Sequence, residues 1–304
     1  MKRRRIGSLE VSIVGIGCNN FGWRLDAAGT ADVVESALDE GINFFDTADM
    51  YGGTKSEDFL GRALGRRRDE AVIATKFGWE IDSSRRGAHP DYVHHAVDDS
   101  LKRLGTDHID LYQLHTPDPA VPIRDTLGAL AEIVHAGKVR EIGCSNFSVA
   151  QLREAEAAGR DGVRFVSVQN EYSLLHREPE ADVLPACERL GLAFIPYYPL
   201  ASGLLTGKYR QGQPIPKGTR LSDRRPSEDR LAIVEALIEF AESRGHTLLE
   251  LAFGYLLSQP IVASVIAGAT SHAQVQANAQ ATEWILTDDE RTEIGRRLDA
   301  AAPA

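Results

Sequence analysis

The chain has 304 residues, 43% of them apolar, and a formal charge of −10 at neutral pH. That length holds either one large alternating barrel or two ordinary domains, with apolar content enough for a sizeable core. The acidic balance speaks against nucleic acid or an anionic membrane surface as the main partner.

In chain order, β-rich runs fall at residues 11–16, 43–46, 71–75, 109–114, 140–143, 165–169, 193–197 and 262–266. Amphipathic patterns lie between them at 30–40, 92–103, 126–135 and 228–244, and a last helical stretch at 288–298. Gly41 and Gly137 stand where a helix C-terminus favours glycine. Eight strands alternating with helices imply a parallel sheet. The count of eight favours closure into a (β/α)8 TIM barrel of the α/β class over a doubly wound sheet, as a single domain covering 1–304. Gly15-Ile16-Gly17 is followed by Cys18 and Asn19 with no helix, so it fails the dinucleotide fingerprint.

Three cysteines, Cys18, Cys144 and Cys187, with no CxxC spacing, fit a reducing compartment better than a disulfide scaffold. The basic start Met1-Lys2-Arg3-Arg4-Arg5 resembles the head of an export signal. The apolar run after it, 11–18, is short and broken by Ser12 and Gly15, so a cytoplasmic location is expected. No run approaches membrane-spanning length. Arg66-Arg67-Arg68 and Arg224-Arg225 read as helix-end or loop positions on a solvated surface. No edge strand or apolar heptad seam marks a subunit interface.

In such a barrel, chemistry belongs at the C-terminal ends of the strands. That rule singles out Asp46, Lys76, His115, Ser145, Asn146, Gln169 and Tyr197, with Tyr51 on the loop after the second strand. A tyrosine is a weak acid, with an ordinary pKa of about 10. A nearby ammonium stabilises its phenolate, and a buried carboxylate holds the ammonium charged and in place. A histidine beside them orients a substrate oxygen. Each residue has a plain structural alternative: Asp46 a helix cap, Tyr51 a wall aromatic, Lys76 a surface cation, His115 a satisfied core imidazole. Four placements at strand ends together favour the chemical reading, a set suited to carbonyl reduction. No HxxxH or clustered Cys/His suggests a metal.

The segment Asp46-Thr47-Ala48-Asp49-Met50-Tyr51-Gly52, continued by Ser56-Glu57 and Leu60-Gly61, resembles the signature of the aldo-keto reductase superfamily. Thr75-Lys76-Phe77, Leu111 to His115, Gly143 to Phe147, Gln169 to Tyr172 and Tyr198-Pro199-Leu200 are similar to its later signatures, from about Ile6 to about Asn278. The resemblance implies Tyr51 as general acid–base, Lys76 and Asp46 tuning it, and His115 polarising the substrate carbonyl.

It also implies a nicotinamide dinucleotide laid across the barrel mouth. Ser145, Asn146 and Gln169 would hydrogen-bond the carboxamide and Tyr197 would stack on the ring. Pro199, Leu200, Ser202 and Lys208 would follow the pyrophosphate, and the loop to Arg220 would fold over as a lid. Cys18, Asn19 and Asp46 complete the contacts near the ring. At the adenosine end, Gly268, Thr270, Gln274 and Asn278 are neutral where some relatives carry cations. Thr270, the neighbouring Ser271 and the amides of the following helix can still receive a phosphate. That neutral pattern resembles the potassium-channel β-subunit branch, so NADP(H) is the expected cofactor and NAD(H) the alternative. Phe21, Trp23 and Trp79 are expected to wall the substrate pocket, a contact that plain loop packing rivals. The expected partner is a small-molecule carbonyl compound. Three functions follow from the resemblance: a carbonyl reductase, an NAD-dependent dehydrogenase of a sugar, alcohol or pyridoxal-like compound, or a cofactor-binding regulatory subunit with weak catalysis.

Overall fold

The computed structural model describes residues 1–159, 162–222 and 225–301, so Arg224 of the second basic run lies outside the described residues. The chain opens with an antiparallel hairpin, β1 (Arg3–Ile6) and β2 (Leu9–Ser12). Eight parallel strands then form one sheet. They are β3 (Val14–Gly17), β4 (Phe44–Asp46), β5 (Val72–Phe77), β6 (Ile109–Leu114), β7 (Val139–Ser145), β8 (Phe165–Glu171), β9 (Ala193–Tyr197) and β10 (Val265–Ala267), in the order β10-β3-β4-β5-β6-β7-β8-β9. The ring closes between its end strands: Phe194 N donates to Ile261 O, and Ala263 N to Phe194 O, both at 2.9 Å. The fold is a (β/α)8 barrel.

The eight predicted strands all form, but the 11–16 run divides between two partners. Its first part pairs with β1 and its second with β4 and β10. At the break, Ser12 N donates to Asn43 Oδ1 at 2.7 Å and Ser12 Oγ to Val14 O at 2.6 Å. Apolar patterning continues through the break, so periodicity alone does not reveal the change of partner.

Helices α1 (Ala27–Asp39), α2 (Lys55–Leu64), α3 (Pro90–Leu104), α4 (Ile123–His135), α5 (Val149–Ala158) and α6 (Val183–Leu190) return the chain between strands. α8 (Leu248–Leu257) and α9 (His272–Gln280) complete the ring, while α7 (Glu228–Glu242) and α10 (Asp288–Ala301) pack together outside it. Local chemistry sets their ends. Ser148 with Gln151 and Thr247 with Glu250 make reciprocal capping boxes, satisfying amides that the first turn leaves free.

Side chains alternate along a strand, so every second residue faces the barrel interior. The lower interior is apolar: Phe44, Ala74, Leu111, Ile195 and Ile266 pack there against Ile6, Leu9 and Val11 of the hairpin, which plugs the N-terminal end. One step up the same strands stand Asp46, Lys76, Gln113 and Tyr197. The period that builds the core thus hands a polar layer to the C-terminal mouth.

The basic run at 66–68 behaves as expected only in part. Arg67 pairs at the surface with Asp39 and Glu70, whereas Arg68 turns inward to the buried Asp110 at 2.8 Å. No helix among the described residues is long and apolar enough to cross a membrane.

Helix α2 approaches α3 through Gly61, where a β-carbon would overlap the Leu104 carbonyl oxygen. That obstacle is backbone, which cannot rotate away. Gly61→Ala is expected to destabilise the fold by about 1–3 kcal/mol. In urea unfolding this should appear as a lower midpoint at unchanged slope.

Candidate active site

Lys76, at the upper end of β5, is 0% exposed, and Asp46, at the end of β4, 2% exposed. A buried ammonium needs a counter-charge and full hydrogen bonding. Lys76 Nζ donates to Asp46 Oδ2 at 2.6 Å and to Thr47 O at 2.8 Å. The other carboxylate oxygen, Asp46 Oδ1, accepts from Gln169 Nε2 at 2.8 Å and Gln113 Nε2 at 3.2 Å. Ser145 Oγ donates to Gln169 O at 2.7 Å, Asn146 Nδ2 to His115 O at 2.9 Å, and Tyr197 Oη to Asn146 Oδ1 at 2.9 Å. One connected set of polar groups therefore runs from the barrel interior to its rim.

Tyr51 stands above this set. The Lys76 ammonium lies 5.1 Å from its ring centroid, and the His115 ring meets it edge-on at 5.9 Å. The turn that delivers Tyr51 requires Gly52: φ there is 59°, and a β-carbon would overlap the Phe21 carbonyl oxygen. Four sequence-predicted residues, Asp46, Tyr51, Lys76 and His115, are thereby brought together.

The electrostatics differ in one respect from the sequence expectation. Burial pushes the Tyr51 phenol above its ordinary range, and the opposing pull of Lys76 does not overcome it. Burial also works against the Lys76 charge, but Asp46 and Tyr51 outweigh it and hold the ammonium above its ordinary value. His115 goes the other way: burial first, then Lys76, lower its imidazole to about 3. In the site as it stands, Tyr51 carries a proton, Lys76 a charge and His115 none.

Tyr51 and His115 floor a cavity of about 890 Å³ at the C-terminal mouth, with Lys76 buried beneath them. Asn19, Asp46, Ser145, Asn146, Gln169 and Tyr197 line it, as do Pro199, Leu200, Ser202, Lys208 and Arg220. Gly268, Thr270, Gln274 and Asn278 form its far end, and Trp79 leans on His115 at 5.3 Å between ring centres. Three expected residues lie elsewhere. Cys18 and Phe21 are fully buried in the outer core, because a single helical turn at Cys18–Asn20 rotates them away from the mouth. Trp23 is 60% exposed and does not line the cavity. Its ring lies beside the Arg24 and Arg220 guanidiniums, at 4.9 and 5.7 Å.

Sequence reasoning missed Met50, Thr116 and Arg24 as lining residues and Gln113 as a ligand of Asp46. The available signal for Gln113 was its place two residues after Leu111, on the face of β6 that points into the barrel. Backbone strain also marks the mouth. Of the five non-glycine residues with positive φ among those described, Asn146, Tyr198, Ala201 and Ser202 fall on the β7 and β9 loops.

The sequence pattern of the Aldo/keto reductase family matches residues 13–298. The chain belongs to that family. Aldo-keto reductase YhdN of Bacillus subtilis is 33% identical over 96% of this chain and 91% of its own. A probable voltage-gated potassium channel subunit beta of Arabidopsis thaliana is 35% identical over 94% and 92%. Among solved structures, the holo form of aldo-keto reductase AKR11C1 from Bacillus halodurans superposes with a TM-score of 0.83 at 35% identity, covering 98% of this chain and 96% of that one. Glycerol dehydrogenase AKR11B4 from Gluconobacter oxydans gives 0.86 at 30% identity, covering 99% and 96%.

As an aldo/keto reductase the protein is an oxidoreductase of carbonyl substrates, in a family that generally binds NAD(P)H. The cavity fits such a group. Asn278 Nδ2 is buried there without a partner, Lys208 and Arg220 bring two positive charges to its wall, and glycines 17, 203, 218 and 268 leave that wall bare. Among the described residues no group of three or more His, Cys, Asp or Glu is placed to hold a metal.

The His115 state is directly measurable. Its folded value lies below the unfolded value of about 6.5, so the neutral form persists and stability is lost only as pH falls through the window from 6.5 towards 3. The His115 ring resonances are expected to stay fixed between about pH 5 and 9 in an NMR titration. Titration near 6.5 would contradict the buried neutral state.

Proposed function

We propose that this chain is an NADP(H)-dependent reductase of aldehydes or ketones with Tyr51 as general acid. The observation that carries the reading is the convergence of a protonated Tyr51 and a neutral His115 on one cavity floor, directly over a charged Lys76–Asp46 pair. When bound, the reduced dinucleotide supplies the hydride to the carbonyl carbon. Ser145, Asn146 and Gln169 would hold the carboxamide of its nicotinamide, and Tyr197 the ring face. Lys208 and Arg220 would meet its phosphates.

The carbonyl oxygen gains negative charge as its carbon is reduced, and it takes the Tyr51 proton. The phenolate left behind is held by the Lys76 ammonium, which Asp46 keeps charged. His115, neutral across the working range, can donate one ring N–H to the same oxygen without adding a charge. Trp79 and Met50 offer the substrate an apolar wall.

One observation favours NAD(H) as the second reading: no lysine or arginine occurs from Gly268 to Asn278. Thr270 and Ser271 at the start of α9, with Arg220 on the lid loop, support a 2′-phosphate instead. The likeness to the Arabidopsis channel subunit raises a third reading, a regulatory protein with weak catalysis.

Titration with NADPH and NADH, followed by protein fluorescence, separates the first two. Addition of 4-nitrobenzaldehyde to the tighter complex then tests for turnover. Tight NADPH binding with loss of nicotinamide absorbance is expected, and binding of neither dinucleotide would sink the proposal. Tyr51→Phe should bind dinucleotide as the wild type does while kcat falls about 10²–10⁴-fold. Near-normal turnover in that variant would remove Tyr51 from the mechanism.

A further inference from the structure

Between Asp46 and Tyr51 lies a carboxyl that the chemistry above does not use. Asp49 is 1% exposed, and no side chain donates to either of its carboxyl oxygens, which approach only the backbone N–H of Met50. Its backbone N–H donates to the Lys76 carbonyl at 3.0 Å, tying the Tyr51 loop to β5. The groups facing Asp49 are Glu57 from α2, Arg103 and Tyr92 from α3, Tyr112 from β6 and Lys76 from β5.

The charges in this pocket do not balance. Glu57 is also fully buried, and its carboxyl accepts from Thr75 Oγ1 and Arg103 Nε, each at 2.6 Å. Arg103 is thus committed to Glu57, and Lys76 is committed to Asp46. An ionised Asp49 would be a second buried anion with no side-chain donor on either oxygen, and the nearby Met50 N–H offsets only part of its desolvation penalty. A neutral carboxylic acid avoids it.

We propose that Asp49 is a positioning residue for the reaction: held as a neutral acid it lets the 47–51 loop seat Tyr51, and its ionisation displaces that loop. Burial first, and the Glu57 charge second, raise its carboxyl to about 7, so the transition falls within the working range. The inference rests on Tyr51 being the proton donor, because the loop acts only through that side chain.

The test compares wild type with Asp49→Asn, which keeps the shape and cannot ionise. The folded value of Asp49 lies above its unfolded one, so its contribution to stability is fully present below about pH 3.8 and is lost as pH rises from there through about 7. The wild-type melting temperature is therefore expected to fall relative to that of the variant between about pH 4 and 7, and the two curves to run parallel above about pH 8. Between about pH 6 and 8, where the folded-state carboxyl itself ionises, wild-type kcat at saturating cofactor and 4-nitrobenzaldehyde should drop by about tenfold, the scale of a small misplacement of a reacting group. The variant should stay level, with KM little changed in both.

Melting curves that stay parallel between about pH 4 and 7 overturn the proposal, and so do superposable kcat profiles between about pH 6 and 8. Diverging melting curves in a protein that binds cofactor yet turns nothing over would overturn the role in the reaction together with the Tyr51 reading. If Asp49→Asn does not fold, Glu57→Gln serves instead. It releases Arg103 towards Asp49, and in that variant the loss of melting temperature with rising pH should end about one unit lower than in the wild type.

Discussion

The arrangement at the barrel mouth depends on one ion pair, Lys76 with Asp46, formed where water does not reach. An isolated charge in that setting would neutralise itself or unfold its surroundings, and breaking a buried pair typically costs about 3–5 kcal/mol. The pair is stable because each partner is fully engaged. Lys76 also donates to the Thr47 carbonyl, and the second Asp46 oxygen accepts two glutamine amides. The requirement propagates outward. Fixing Gln169 fixes the carbonyl that Ser145 donates to, and Asn146 then bridges the His115 backbone and the Tyr197 hydroxyl. Side chains from five strands and the loops beyond them are oriented by the need to satisfy one carboxylate.

How much of this was legible in the sequence depended on what each inference required. Eight strands and the strand-end residues followed from alternation and from the barrel rule, because both concern position along the chain. Side-chain direction just past a strand end is different. Cys18 and Phe21 sit close to a strand end, as the rule asks, yet a turn of helix carries them into the core while Asn19 remains on the cavity. Trp23 faces solvent for the same reason. The sign of the Tyr51 shift was beyond sequence as well. Neighbouring charges can be named from a motif, whereas the competing desolvation needs the burial that only the assembled barrel supplies. The hairpin was missed because the alternation of Leu9 and Val11 runs on through Ile13 into β3, so periodicity alone does not mark the change of partner.

Stability and chemistry occupy opposite ends of the barrel. The lower interior is apolar, and at the floor Asp110 gathers Arg68 and Arg140 into a compact ionic cluster. The upper layer carries the buried pair, partnerless polar atoms and most of the left-handed non-glycine backbone. Strain and unmet hydrogen bonds are tolerable there because the lower half, already packed, over-determines the positions of the strands.

The hairpin plug has a topological consequence. Ile6, Leu9 and Val11 cap a lower interior that Phe44, Ala74, Leu111, Ile195 and Ile266 already fill, so the cavity is a cup with its rim at the C-terminal mouth. Two molecules occupying the cup together must use that rim in turn. Whichever lies deeper has to enter first and leave last, so the sequence of arrivals and departures is dictated by depth alone, whatever the individual affinities.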